Sequence, residues 1–348
     1  MNRPFEGKNI LVTGGTGSIG SEIVRQVLKQ NPNNLRILSR DDTKQHKLQM
    51  ELGSQSETLY SQGPLRFLIG DIRERNRLKK AMENIDIVFH AAALKHVHLS
   101  EYNPFEAVKT NIIGTQNVVD AALDAGVEKV IVISTDKAAN PLGVMGATKL
   151  VSEKLVSCAF YHKGAKKTKF AAVRFGNVMG SRGSVIDLFK NQITCGQAVT
   201  ITSDKMTRFM MSIPQAVNLV LEATDEMCGS EVFILKMPTL KIKDLAEVII
   251  KETCTKLNKN PAEVKIEHIG NRVGEKTHEI LLTEDEAKMA LDIGNKFVIL
   301  PHENTYYSRL KNNSYANSKP LNKESYSSKD NLLTKEQIKE LLQKENLI

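Results

Sequence analysis

Ser134-Thr135-Asp136-Lys137 is followed closely by Met145-Gly146-Ala147-Thr148-Lys149, so a short span carries a carboxylic acid, two amines and several hydroxyls. An acid and a base held side by side can move protons in opposite directions within one reaction, which is general acid–base catalysis. A lysine is a base only when neutral, so its pKa has to fall. Burial and the neighbouring Lys149 push the Lys137 amine down, whereas Asp136 pushes it up. The same two residues also fit a structural ion pair at the end of a strand.

The elements around these residues argue for chemistry. Val130-Ile131-Val132-Ile133 is a short apolar run of the kind that forms a buried parallel strand. Doubly wound folds place their reactive groups at the carboxyl ends of such strands. The chain opens with Lys8–Thr13 as a first strand running into Gly14-Gly15-Thr16-Gly17-Ser18-Ile19-Gly20, after which Ile23, Val27 and Leu28 keep helical spacing. Gly14, Gly17 and Gly20 allow a tight turn, close backbone approach to a pyrophosphate, and close packing of helix on sheet. The helix amino terminus adds unpaired N–H groups and a partial positive charge. Strand, glycine turn and helix in this order predict dinucleotide binding through Gly14, Thr16, Gly17, Ser18, Ile19 and Gly20.

A second strand, Leu35–Ser39, ends in Arg40, where an NAD-binding fold usually carries an acidic residue for the ribose 2'-hydroxyl. Arg40, with Ser39 and Lys44 nearby, suits a 2'-phosphate, so NADP is favoured as cofactor. Asp41 or Asp42 taking the ribose, with Arg40 facing water, is the alternative. The third strand, Arg66–Gly70, leads to Asp71 and Ile72, suited to the adenine edge. The fourth, Asp86–His90, leads to Ala91-Ala92-Ala93, whose small side chains admit the cofactor to the backbone, and then to Lys95 as a cofactor or substrate contact. Helical stretches are expected over Pro104–Ala125 and Val144–Tyr161, the latter placing Met145 and Lys149 on one face. Ala92, with Ser134 and Thr135 at the end of the fifth strand and Met145 and Lys149 on the following helix, completes the expected cofactor set.

Repeated strand and helix imply an α/β fold: a Rossmann-type, doubly wound parallel sheet with a smaller C-terminal substrate-binding lobe. Residues 1–176 are expected to form the cofactor domain, with a strand near 231–235 rejoining it. Residues 177–303 form the substrate lobe, and 304–348 a loop or latch with a final helix. Within the lobe, Gly176–Ser184 reads as a polar loop, Val199–Thr202 as a strand and Pro214–Met227 as a helix. Arg272–Lys276 reads as a charged turn before a helical Thr277–Leu282, and Asn304–Asn331 as a loop or mobile latch poor in aliphatic residues. Thr334 and Gln337 make a capping-box pattern for the last helix.

Composition excludes other classes. A chain of 348 residues with 41% hydrophobic content can bury a large core. No apolar run reaches the roughly 18 residues needed to cross a bilayer, and Met1–Glu6 leads directly to the first strand, so a cytoplasmic enzyme without membrane attachment is expected. Cys158, Cys195, Cys228 and Cys254 are scattered, and the eight histidines form no ligand pattern, so neither a disulfide framework nor a metal is expected. The net charge of +8 suits anionic ligands, but no aromatic-interleaved basic stripe accompanies it, and nucleic-acid binding is not expected.

The motifs resemble the extended short-chain dehydrogenases/reductases, and within them the UDP-N-acetylglucosamine 4,6-dehydratases of the polysaccharide-biosynthesis group. The likeness runs through TGGTGSIG, SRDDTKQ, HAAALKHV, EYNPFEAVKTN, STDKAANP, MGATK, RFGNVMGSRGSV, MTRF, GEKTHE and SYSS, in that order along nearly the whole chain. It is similar to the soluble, C5-inverting members rather than to the long forms with an amino-terminal membrane region. The resemblance implies a UDP-sugar substrate, oxidised at carbon 4, dehydrated across carbons 5 and 6, and reduced at carbon 6, for surface polysaccharide synthesis. It implies Asp136 as the acid at carbon 6, Lys137 as the base at carbon 5, Thr135 as a nearby hydroxyl, and Lys149 on the nicotinamide ribose. The cationic nicotinamide would also depress Lys137.

Met145 stands where most of the superfamily has a tyrosine that accepts a proton during oxidation, and a thioether cannot do this. Lys137, Asp136 or a water must take over. Around the nucleotide sugar the resemblance implies Lys95, Asn177, Val178, Ser184 and Thr200, with Arg272 and Glu275 at the diphosphate or ribose. It implies that Tyr326, Ser327 and Ser328 close over the uridine end, and that the protein is a homo-oligomer, dimer or hexamer. A nucleotide-sugar 4-epimerase, which would depend on the tyrosine, and a catalytically silent NADP-binding protein are the alternatives.

Overall fold

The computed structural model describes residues 3–53, 63–181, 183–270, 274–301 and 314–348. The early apolar runs become six parallel strands: β1 (Asn9–Thr13), β2 (Asn34–Ser39), β3 (Leu65–Ile69), β4 (Ile87–His90), β5 (Lys129–Ile133) and β6 (Lys169–Arg174). Their order in space is β3-β2-β1-β4-β5-β6. The winding therefore reverses between β1 and β4, which opens a crevice at the carboxyl ends of the strands. Helices cover both faces, so β4 is buried along its whole length and β1 along most of it. On one face the helices Ser18–Leu28 and Ile213–Glu226 supply Ile23, Val27, Val217 and Val220 to the core. On the other, Arg75–Met82, Gly114–Ala125 and Val144–Ser157 supply Leu78, Val118, Ala122 and Val156. This is a Rossmann-type α/β fold.

Beyond β6 the chain adds β7 (Asn177–Met179), β8 (Val199–Ile201), β9 (Thr207–Ser212), β10 (Val232–Leu235), β11 (Thr239–Lys241) and β12 (Ile266–His268). It then forms β13 (Ile280–Leu282), β14 (Ala290–Asp292), β15 (Lys296–Ile299), β16 (Lys319–Pro320) and β17 (Tyr326–Ser327). β10 pairs in parallel with β6, and β15 antiparallel with β10. With β14 and β16 outside them, these strands extend the main sheet to ten. A separate core of Ile186, Phe189, Val199, Leu245, Ile249, Ile338 and Leu342 joins the helices Val185–Thr194, Ile242–Lys256 and Lys335–Lys344. The last helix starts with the reciprocal Thr334–Gln337 capping box that its sequence pattern predicts.

Several local expectations are corrected. Thr277–Leu282 is not helical: Ile280–Leu282 is β13, paired antiparallel with β17. A partner about 45 residues away supplies the hydrogen bonds, and tertiary pairing overrides the local pattern. The polar segment after β6 is not all loop, because β7 pairs with β9. The described part of the supposed latch is held firmly: Tyr326, Ser327 and Ser328 are buried, and Tyr326 Oη both receives the Met237 N–H and donates to the Met237 carbonyl. Residues 304–313 of that stretch lie outside the described residues. The helix from Val144 ends at Ser157, with a short 3-10 turn over Ala159–Tyr161.

The stretch Pro104–Ala125 is helical but not uniform, since Val108–Ile113 winds as a π-helix. Such an insertion shifts the register of the helix face and often marks a functional region. Here Asn111, buried, accepts from the Leu94 N–H and donates to the Leu94 carbonyl and to Thr148 Oγ1. It fixes the turn after β4 against the helix that carries Lys149.

Candidate active site

A cleft of about 560 Å³ opens over the carboxyl ends of β4, β5 and β6. Its walls include Gly17, Ser18, Ile19 and Gly20 from the glycine turn, Lys95 from the turn after β4, and Ser134, Thr135 and Lys137 from the end of β5. Met145 and Lys149 come from the following helix, and Asn177, Val178 and Ser184 from the segment after β6. Thus most of the catalytic and many of the ligand residues expected from the sequence meet in one cavity.

The glycine turn has the shape of a phosphate cradle. Gly14 has φ +68°, and a Cβ there would lie 2.6 Å from the Ala92 nitrogen. A Cβ on Gly20 would lie 2.3 Å from the Gly14 carbonyl oxygen. Only glycine fits either place, so the turn is pressed against the end of β4 while the helix amino terminus at Ser18 faces the cleft. Ser134 Oγ, buried in the wall, has no hydrogen-bond partner. Lys149 Nζ donates to the Ile133 carbonyl at 2.6 Å. Burial draws its pKa down from 10.5 to about 8, partly offset by Glu153 one turn further on. These residues fit a nicotinamide dinucleotide laid from the glycine turn toward Lys149.

At the outer end of this track Arg40, half exposed, places Nη1 3.5 Å from Asp71 Oδ2. Asp71 also accepts from the Arg73 backbone and guanidinium, and Ile72 is buried behind it. Lys44 is ion-paired with Asp41, and Ser39 Oγ accepts from Gln45. Arg40 therefore sits farther from its carboxylate partner than Lys44 or Arg73 does.

Asp136 and Lys137 form the short 3-10 turn that follows β5, and the side chain of Thr135 caps it. Asp136 is fully buried: Oδ1 accepts from Thr135 Oγ1 at 2.8 Å and from Lys137 Nζ at 2.9 Å, while Oδ2 has no partner. Lys137, about a quarter exposed, reaches the cleft. Burial acts to lower its pKa, but Asp136 and Glu279 outweigh that and hold the ammonium above 10.5. The resting state is thus an ion pair, and the balance left open by the sequence favours the charged lysine. Met145, 3% exposed, faces the same cleft with no proton to exchange.

Other expected contacts lie elsewhere. Thr200, on β8, is bound by Gln192. Glu275 pairs with Arg208 at 3.1 Å. Tyr326, Ser327 and Ser328 are buried and do not line the cleft, and Ser328 Oγ accepts from the Glu279 N–H. Arg272 lies outside the described residues. The structure also adds groups that the sequence reading did not single out. Glu279 Oε1 stands 3.4 Å from Lys137 Nζ, Arg208 Nε 3.8 Å from Glu279, and Lys276 Nζ donates to the Ala139 carbonyl at 2.6 Å. The signal for Lys276 and Glu279 was the charge density of Glu275–Glu279 directly before an apolar run. Among the described residues no cluster of His, Cys, Asp and Glu could hold a metal, and no helix is long and apolar enough to cross a membrane.

Comparison with known proteins agrees with this geometry. Residues 10–301 match a family described as polysaccharide biosynthesis protein. A Methanocaldococcus jannaschii protein described as an uncharacterized membrane protein is 50% identical, the match covering 97% of this chain and 96% of the relative. A Campylobacter jejuni UDP-N-acetylglucosamine 4,6-dehydratase (inverting) is 43% identical over 85% of this chain and 84% of its own. A Rickettsia bellii protein named UDP-glucose 4-epimerase is 41% identical over 85% of this chain and 83% of its own. The X-ray structure of Pen from Bacillus thuringiensis superposes with a TM-score of 0.87 at 44% identity and covers 99% of each chain.

Proposed function

The chain belongs to the polysaccharide biosynthesis protein family, and from that membership we propose that it is an NADP-dependent 4,6-dehydratase of UDP-N-acetylglucosamine. The observation that carries the proposal is the Asp136–Lys137 pair, an acid and a base 2.9 Å apart at the edge of a cleft that also holds a dinucleotide cradle. The glycine turn, Ser134 and Lys149 would hold the cofactor, with Arg40 at the 2'-phosphate and Asp71 beside the adenine. When bound, it supplies reversible hydride transfer.

Once carbon 4 of the sugar is a ketone, the hydrogen on carbon 5 becomes acidic. Removing that proton and protonating the carbon 6 hydroxyl breaks C5–H and C6–O, forms a C5–C6 double bond and releases water. The step needs a neutral amine and a protonated carboxyl group together. The resting ion pair reaches that state by moving one proton from Lys137 Nζ to Asp136 across their hydrogen bond. Closing the cleft with substrate excludes water and favours this neutral pair, since desolvation penalises charge. Neutral Lys137 then takes the carbon 5 proton, and protonated Asp136 gives its proton to the departing hydroxyl. The C5–C6 double bond would then be saturated by hydride from the bound cofactor at carbon 6 and a proton at carbon 5; a proton from Lys137 keeps the face of removal, and one from a donor on the opposite face would give C5 inversion, as the name of the Campylobacter relative states for that protein.

A second reading, nucleotide-sugar 4-epimerase, draws support from the Rickettsia relative's name. Met145 bears on both readings alike, because each begins by oxidising carbon 4; what weighs against epimerisation is the Asp136–Lys137 pair, since epimerisation needs no elimination. Mass spectrometry and proton NMR of the product formed from UDP-N-acetylglucosamine, with NADP+ and separately with NAD+, separate the readings. Loss of one water supports dehydration. An isomer of unchanged mass supports epimerisation, and unaltered substrate with both cofactors overturns both.

A further inference from the structure

Glu279 is buried at 1% exposure, yet it is neither a cleft-wall residue nor tightly paired with a single cation. Its backbone is clamped. The Glu279 N–H donates to Ser328 Oγ at 2.8 Å, and the Glu279 carbonyl accepts from the Ser328 N–H at 2.8 Å. Ser328 Oγ in turn bonds Thr207 Oγ1, which also contacts His278 Nδ1. The β13–β17 pairing therefore aims one carboxylate at the floor of the cleft. There Oε1 meets Lys137 Nζ at 3.4 Å, as a second carboxylate beside Asp136 at 2.9 Å, and Oε2 is buried without a partner.

A buried carboxylate is costly unless something holds its charge. Arg208 approaches only to 3.8 Å, and its Nη atoms are engaged by Glu275 and by the carbonyls of Thr207 and Thr277. Lys276 is turned to the Ala139 carbonyl. Lys137 is the nearest cation, and it contacts two carboxylates, Asp136 and Glu279. The charged and titratable groups around Glu279 are thus Asp136 and Lys137 after β5, Arg208 on β9, Glu275, Lys276 and His278 on its own segment, and Lys329 and Arg174 further out.

We propose that Glu279 is a positioning residue for the proposed base: together with Asp136 it grips the Lys137 ammonium and so sets when Lys137 becomes neutral. This rests on the reading of Lys137 as the carbon 5 base, but the grip itself can be measured without substrate. Relaxing it would require Glu279 to be shielded or moved, and β17 is the element that fixes it.

The test is competitive labelling of lysines with trace acetic anhydride across an alkaline pH series, reading the Lys137 peptide by mass spectrometry in unliganded wild type, Glu279→Gln and Glu279→Asp. Removing a carboxylate at this distance is expected to lower the midpoint for Lys137 by about one pH unit or more. The aspartate variant, with charge kept but withdrawn by one methylene, falls between the two and covers the case in which the glutamine variant does not fold. A Lys137 midpoint unmoved in the folded variants would overturn the proposal and leave Glu279 as a counter-ion of Arg208. If wild type releases no water from UDP-N-acetylglucosamine while the midpoint still shifts, the dehydratase reading fails and control of Lys137 by Glu279 is upheld.

Discussion

Replacing Lys149 by methionine should change how stability depends on pH. Lys149 is buried, and its pKa falls from 10.5 to about 8. In the unfolded chain the amine regains its ordinary affinity for a proton. A lysine that binds its proton less tightly when folded costs stability wherever the unfolded chain is the more protonated. That cost is complete below about pH 8 and fades as pH rises toward 10.5, so this group makes the protein more stable with rising pH. A fall of this size is worth about 3 kcal/mol at neutral pH, of which about 2 kcal/mol is recovered between pH 7 and pH 9.5. Lys149→Met removes that pH-dependent cost. It also loses the hydrogen bond to the Ile133 carbonyl, worth about 1 kcal/mol, but equally at both pH values. Urea unfolding of both proteins without ligand should show the variant gaining on wild type by about 2 kcal/mol more at pH 7 than at pH 9.5. A difference independent of pH, or larger at pH 9.5, would refute the reasoning.

Three further substitutions probe the cradle and the acid. Arg40→Ala should weaken NADP binding about tenfold or more and leave NAD binding nearly unchanged in calorimetric titrations; equal losses would remove Arg40 from the 2'-phosphate. Asp136→Asn should cut turnover at least about 100-fold while cofactor binding persists, and near-normal turnover would exclude it as the acid. Gly20→Ala places a Cβ 2.3 Å from the Gly14 carbonyl oxygen, so it should destabilise the fold by about 1–3 kcal/mol in urea melts. An unchanged midpoint would mean that the turn is looser than described.

The parts of this protein that local sequence governs were legible in it. The apolar runs of β1, β4 and β5, the helix-spaced Ile23 and Val27, and the glycines at 14, 17 and 20 each carry their structural reason within a few residues. So does the Thr334–Gln337 box. What the sequence hid depends on distant partners. β13 looks helical until β17 pairs with it, and Glu279 is one charge in a run until Ser328 aims it at Lys137. The family resemblance implies that Tyr326 and Ser328 close over a ligand, and the contacts that bury them, from β9 and from Met237, lie too far off in the chain to be read from it. The charge state of Lys137 could not follow from Asp136 alone, since the second carboxylate enters from about 140 residues further along the chain.

The central claim is that Asp136 and Lys137 carry out an elimination across carbons 5 and 6 of a UDP-sugar. Its most direct test is incubation with UDP-N-acetylglucosamine and NADP+ in deuterated water, with mass spectrometry and NMR of the product, for wild type and Lys137→Met. Wild type should give a product one water lighter that carries deuterium at carbon 5, with ring couplings that report the configuration there, and Lys137→Met should incorporate no deuterium. A dehydrated product with hydrogen retained at carbon 5, or unaltered carbon 5 exchange in the variant, would contradict the account.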